Sequence, residues 1–396
     1  MNRIPLRAGA LGALASFVLL FAGCAEEPTT ATLMPVDAAA HQGGGHGSPG
    51  EAAELGSPIF DLAALPDGGI VFAEFTTLKA LDRHGSIREI LTVPTKPGSA
   101  VNGIAPIGAR SFWVTSSGLD LAVGAGLWRV SNGSARLVGD VEAFEIENDP
   151  DATMGPGWKT PACEEDPVQG FSAGPQSNPY HLESLGGDMV VLADAAGNSI
   201  LRGHAGGDLE VVAVLEPPTD EDGDWHVLKT LEDDTECYVQ PVPTAVAAGP
   251  DHTLYVGELT GAPGPDMDGI QGEARIWRID GDAAGASCPS SDECDLAVSG
   301  LTSVIDVDFG ADGRLYVVEY DANGWFQAVV FGNAAGGAIL ACDVAGAAGP
   351  LTRDQCETIA DGLILPGAIT FDRHGTLWVV ENHIGAAPSI HPVAMP

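Results

Sequence analysis

One short motif recurs six times along the chain, and it constrains the fold more than any other feature. A Gly- or Asp-containing turn leads into a β-branched or aromatic strand, which ends in a small residue and a polar one. The copies are Gly69-Ile70-Val71-Phe72-Ala73-Glu74, Ser111-Phe112-Trp113-Val114-Thr115-Ser116, Met189-Val190-Val191-Leu192-Ala193-Asp194, Thr253-Leu254-Tyr255-Val256-Gly257-Glu258, Arg314-Leu315-Tyr316-Val317-Val318-Glu319 and Thr376-Leu377-Trp378-Val379-Val380-Glu381. Their third residues stand at 71, 113, 191, 255, 316 and 378, giving spacings of 42, 78, 64, 61 and 62.

Ahead of several copies an apolar stretch closes through a tight turn, as in Ala245-Val246-Ala247-Ala248-Gly249-Pro250-Asp251-His252, the pattern of an antiparallel hairpin. Further strand candidates follow, such as Gly126-Leu127-Trp128-Arg129-Val130 and Ala274-Arg275-Ile276-Trp277-Arg278-Ile279-Asp280. Up to four strands per unit and no amphipathic helix between units predict an all-β fold, a six-bladed β-propeller with four-stranded antiparallel blades over residues 55–396. A β-solenoid also repeats, but it does not need units this long or tolerate loops this uneven. Only 15 residues follow Glu381, so a strand from the N-terminal side, such as Thr30 to Val36, is expected to complete the sixth blade.

The first 24 residues read as an export signal: Arg3 and Arg7 precede an apolar run from Leu11 to Phe21, which is too short to span a membrane comfortably. The run ends in Leu20-Phe21-Ala22-Gly23-Cys24, similar to a bacterial lipobox apart from Phe21, so Cys24 is the expected site of lipid attachment. The expected location is the cell envelope as a lipoprotein, in the periplasm or on the outer surface. Simple secretion after an ordinary cleavage is the alternative. Residues 25–54, rich in Ala, Gly, Pro and Thr, read as a flexible linker.

Six cysteines remain beyond Cys24, an even number that suggests three disulfides in an exported chain. Local pairing would join Cys288 with Cys294 and Cys342 with Cys356, leaving Cys163 with Cys237. A zinc site is the rival, but no C-x-x-C pair or histidine at ligand spacing accompanies them. The net charge of −38, from 55 acidic and 17 basic residues, repels phosphate backbones and excludes nucleic acid as a partner. An unidentified small molecule or protein remains compatible, contact with a membrane is expected only through the lipid anchor, and a monomer is expected.

The segments Ser177-Asn178-Pro179-Tyr180, Ala193-Asp194-Ala195-Ala196-Gly197-Asn198, Val242-Pro243-Thr244-Ala245-Val246-Ala247, Leu254-Tyr255-Val256-Gly257-Glu258-Leu259-Thr260-Gly261 and Gly313-Arg314-Leu315-Tyr316-Val317-Val318-Glu319 carry a family likeness. With them the chain resembles, over roughly residues 55–385, the propellers associated with scytonemin biosynthesis, the ScyD/ScyE type. The resemblance implies an exported propeller of unassigned activity, related to NHL and gluconolactonase-like six-bladed propellers. Gluconolactonase and regucalcin-like propellers place metal ligands at strand starts; of the equivalent positions here, Asn102, Phe60, Tyr180, Thr244, Ile305 and Gly367, only Asn102 fits.

Five motif copies end in a carboxylate, Glu74, Asp194, Glu258, Glu319 and Glu381, while the sixth ends in Ser116. On one face of a propeller these acids would either gather around a cation, calcium being the natural occupant, or hydrogen-bond amides of neighbouring blades. Asn102, Asn178 and Ser116 are the candidate ligand-binding groups. Asp220, Asp222 and Asp224 alternate as in a calcium loop, although Trp225 and Leu231 stand where glycine and glutamate are usual. Gly170-Phe171-Ser172-Ala173-Gly174 matches a nucleophile pattern but is bracketed by Pro167 and Pro175, which excludes the helix that pattern requires. The expected function is ligand or partner binding on one face, with a bound cation and no assigned catalysis. A metal-assisted lactone or ester hydrolase is the alternative.

Overall fold

A computed structural model describes residues 55–118, 124–154, 175–219, 223–234, 236–261 and 270–395. Cys24, the signal and linker segments, Thr30 to Val36, Cys163, Ser172, Asp220 and Asp222 lie outside the described residues. Six sheets ring a central axis, and each motif copy is the second strand of one sheet. The chain is a six-bladed β-propeller.

Blade 1 comprises Leu62–Ala64, Ile70–Glu74, Thr77–Leu81 and Ile87–Thr92; blade 2 comprises Ser99–Gly108, Ser111–Gly118, Gly126–Ser131 and Ser134–Asp140. Blade 3 is built on Pro179–Gly186, Met189–Asp194, Ser199–His204 and Leu209–Leu215, blade 4 on Pro243–Ala248, Thr253–Glu258, Ala274–Asp280 and Cys294–Leu301. Blade 5 contains Val304–Phe309, Leu315–Glu319, Gly337–Cys342 and Glu357–Leu363, and blade 6 has Ala368–Phe371, Leu377–Glu381 and Ser389–Pro392.

The second strands are legible in sequence because they are buried on both faces. Alternate residues feed two cores: Leu254 and Val256 pack into the gap between blades 3 and 4, whereas Tyr255 packs between blades 4 and 5. A separate apolar core fills each of the six gaps between neighbouring blades. Between blades 6 and 1 the core holds Ile59, Leu62, Ile70, Phe72, Ala368 and Val380.

Among the described residues, two blades depart from four strands by addition and one by subtraction. Ala286–Cys288, in the excursion between the third and fourth strands of blade 4, pairs in parallel with the outer strand of blade 3. Leu351–Thr352, in the corresponding excursion of blade 5, pairs in parallel with the outer strand of blade 4. Each excursion thus covers an edge that would otherwise present unpaired backbone groups. Disulfides close both, Cys288 to Cys294 and Cys342 to Cys356, as the local pairing expected. Cys237 is also disulfide-bonded.

Blade 6 has three strands among the described residues, and the ring joins there through Ile59 N–H donating to the His383 carbonyl (2.8 Å), Ala64 N–H donating to Thr370 Oγ1 (3.3 Å) and the shared core. Short helices, absent from the sequence-based expectation, occur at Val141–Asn148 and Trp325–Val329. No helix among the described residues is long and apolar enough to cross a membrane.

The inner strands of blades 2 and 3 approach closely at Gly103, where a Cβ atom would stand 2.4 Å from the Tyr180 carbonyl oxygen and 2.5 Å from Leu182 Cδ2. The first obstacle is backbone and cannot swing away. Gly103→Ala is therefore expected to cost about 1–3 kcal/mol, as over-packed core substitutions do, measured as a lowered urea midpoint at unchanged slope.

Candidate functional site

Antiparallel blades put their connections at two ends of the ring. The four longest, 141–178, 216–242, 259–273 and 320–336, all leave from the end where the second strands finish. Three of them share a small core of their own: Val239, Ile270 and Phe326, with Leu228 and Trp325 against it. Of the large apolar side chains left exposed, Ile146, Val330, Phe331 and Ile364 also belong to connections at this end.

The strand-end acids reach the same end but are engaged separately. Glu74 pairs with Lys79 (2.5 Å), and Glu258 takes a bidentate pair from Arg275 (2.8 and 2.9 Å) plus the Trp277 indole N–H (2.7 Å). Glu319 accepts from Thr302 N–H (2.8 Å) and pairs with Arg353 (2.7 Å), while Glu381 accepts from Ile364 N–H and meets His391, both at 2.6 Å. Asp194 accepts from Ser177 Oγ and from the Asn178 and Gly197 backbone N–H groups. Ser116 accepts the Trp128 indole N–H (2.9 Å), the place that Glu258 takes in blade 4.

Asn102 and Asn178 do come together: Asn102 Nδ2 donates to Asn178 Oδ1 (3.0 Å) and to Ser117 Oγ (2.5 Å), which in turn donates to Asn178 Oδ1 (2.6 Å). The serine in this group is Ser117 rather than Ser116. The inner strands carry a bulge here in four blades, so that Asn102, the Tyr180-His181 pair, Thr244 and Ile305 are the extra residues against the second strand. A bulge re-aims side chains, and these break the sixfold repeat where the channel begins.

Among the described residues, two groups of three have one ligand atom each within 4.8 Å of the others, a spacing at which an ion could be held. They are Asp61, His181 and Asp306 in the channel, and Glu145, Asp149 and Asp151 beside blade 3; neither contains a strand-end acid. The channel group was missed in sequence, since Asp61 just precedes the inner strand of blade 1 while His181 and Asp306 stand on the inner strands of blades 3 and 5.

In the channel group both imidazole nitrogens are taken. His181 Nε2–H donates to the Phe60 carbonyl (3.0 Å) and Nδ1 meets Asp306 Oδ1 (2.9 Å). Asp61 accepts from Leu62 and Ile104 N–H, and Asp306 from Val307 and Ile369 N–H. Both ring nitrogens thus face oxygen acceptors, and as an imidazolium His181 is bonded through each of them, forming an acid–imidazolium–acid triad. Burial alone would lower the His181 pKa, but the Asp306 and Asp61 carboxylates reverse this and push it up to about 9. Burial raises Asp61 to about 7, and further along the channel it raises Glu183 to about 8 and Asp308 to about 7, with help from neighbouring carboxylates. Toward the loop-bearing end, the buried rings of Phe60, Tyr180, Tyr320 and His383 meet edge to face. Burial and the nearby His181 charge push His383 down to about 3, so Tyr320 O–H donates to a neutral His383 Nε2 (3.2 Å).

The second group is built by a helix end. Asp140 caps Val141–Asn148 by accepting from Ala143 N–H, and Asp149 ends the helix in a left-handed conformation, its N–H bonded to the Glu145 carbonyl. This turns Asp151 inward, where Asn198 Nδ2 donates to it (2.9 Å). Gly197 makes room: a Cβ there would lie 2.9 Å from Glu145 Oε2 and 3.3 Å from Asp194 Cγ. Burial raises Asp194 to about 6 against the bonds from Ser177, Asn178 and Gly197, with a smaller contribution from Asp151. Of the strand-end candidates, Asp194 is the one set beside this group. Asp224 lies in the 216–242 connection between the bridged residues Thr219 and Trp225.

Fold and site define a propeller with an aromatic-capped channel beneath one loop-rich face. No known protein family and no curated protein matches the sequence. Among solved structures the chain is similar to a gluconolactonase from Xanthomonas campestris, at 13% identity over 86% of this chain and 88% of that one, with a TM-score of 0.48. It is also similar to a putative glucose dehydrogenase from Thermus thermophilus (14% identity, 86% and 97% covered, TM-score 0.47) and to virginiamycin B lyase from Staphylococcus aureus (14% identity, 86% of each, TM-score 0.41). At these identities the likeness is one of fold.

Proposed function

We propose that this chain is an exported, lipid-anchored envelope propeller of the ScyD/ScyE type that binds a ligand or protein partner on its loop-bearing face, with no assigned catalysis. The observation that carries the reading is the asymmetry of the ring: the long connections and most of the exposed large apolar side chains gather at one end of a rigid scaffold. The closed disulfides suit an oxidising compartment. A photo-reactive residue at Phe331 is expected to give a saturable adduct in intact cells, and one at His84, in a turn at the opposite end, none. Equal labelling from both ends would overturn the reading.

In this reading the cation is calcium, held by Glu145, Asp149 and Asp151, an all-oxygen donor set of the kind calcium prefers. Chelator is expected to lower the melting temperature of the wild type but not of Asp151→Asn. Absence of co-purified metal together with an unchanged melting temperature would sink this part. The same group gives the hydrolase reading its one support, because it sits at the loop-bearing face. Turnover of a lactone or ester panel that disappears in Asp151→Asn would establish that reading instead.

A further inference from the structure

We propose that the Asp61–His181–Asp306 triad is a proton-held lock on the channel, keeping the blades in register while His181 is an imidazolium and loosening when that proton leaves in alkaline medium. The geometry carries this. His181 on blade 3 bonds the Phe60 carbonyl of blade 1 and Asp306 of blade 5, Asp306 holds Ile369 N–H of blade 6, and Asp61 of blade 1 holds Ile104 N–H of blade 2. One buried group of three side chains therefore ties five blades across the axis. Blade 4 joins through Thr244 Oγ1 donating to the Val304 carbonyl (2.7 Å). Loss of the imidazolium proton would leave Nδ1 facing Asp306 lone pair to lone pair, or break the bond to Phe60, at a buried site where an unmade hydrogen bond is costly.

The titratable groups around the triad are Glu183 and Tyr180 from the inner strand of blade 3, Asp308 from that of blade 5, and His383, which follows the second strand of blade 6 and is itself met by Tyr320. The inner strands of blades 2 and 4 carry no titratable side chain. His181, Asp61, Glu183 and Asp308 all titrate higher in the folded chain than free in water. The folded state thus binds more protons than the unfolded one, and stability falls as pH rises through about 7 to about 9.

Two measurements on the full chain test the lock. Ring nitrogen NMR is expected to show one histidine still doubly protonated at about pH 8, its signal missing from His181→Gln. Thermal melts from about pH 6 to about pH 9.5 are expected to fall by several degrees in the wild type and in the surface control Glu232→Gln, and by much less in Asp306→Asn, which starts lower. The proposal fails if no histidine stays protonated above about pH 8, or if Asp306→Asn keeps the full pH slope. It also fails if chelator strips a metal and moves the His181 signal.

Discussion

Glu258→Ala is expected to cost about 3–5 kcal/mol, the range for removing one partner of a buried ion pair. The Glu258 side chain is fully buried, and its two oxygens take both arms of Arg275 and the Trp277 indole. Arg275 also donates to the Glu216 carbonyl (2.7 Å) and lies 4.8 Å from the Trp277 ring centre, so with only 11% of its side chain exposed it stays largely shielded from solvent once the carboxylate is gone. The mutant strands a guanidinium and an indole N–H, both desolvated. Glu258→Gln keeps one acceptor and should lose less. Glu74→Ala is the control: its partner Lys79 is partly exposed, and such pairs are worth at most about 1 kcal/mol. Urea melts of the three variants check the order, and a Glu258→Ala midpoint close to that of Glu74→Ala would refute it.

The same contrast explains how much could be read from sequence. The six second strands stood out because burial on both faces demands apolar residues at every position. The inner strands did not, being as short as Leu62–Ala64 and interrupted by bulges at Asn102, Thr244 and Ile305. The recurring acids were legible as a repeat, but their partners were not. Arg275 and Trp277 lie across a strand pairing, and register is needed to place them opposite Glu258. The channel triad left one usable signal. In Tyr180-His181-Leu182-Glu183 and Ile305-Asp306-Val307-Asp308 the polar residues alternate, and period two puts them on one face. What no pattern in the sequence carried was that the two faces would meet across an axis. The sixth blade shows a related limit, because the joining contacts of Ile59 and Thr370 are tertiary.

Removing both local disulfides is expected to be the other large perturbation. Cys342 and Cys356 are 14 residues apart, so opening that loop costs about 3 kcal/mol in chain entropy, and the separation of 6 between Cys288 and Cys294 gives a little over 2 kcal/mol. If the two add, the Cys288→Ser, Cys294→Ser, Cys342→Ser, Cys356→Ser protein loses about 5 kcal/mol. The loss should also be local before it is global. Each disulfide closes the excursion whose short strand covers the outer edge of the preceding blade, so its absence frees that strand first. Amide exchange should accelerate at Ala213 and Val214 when the Cys288 pair is removed, and at Val298 and Ser299 when the Cys342 pair is removed, with inner strands little changed. Bare outer edges then become templates for pairing between molecules, and association at raised protein concentration is the second expected readout. Uniform acceleration across all blades would mean instead that the disulfides act only on the unfolded chain, leaving the edge-covering strands to hold by their own hydrogen bonds.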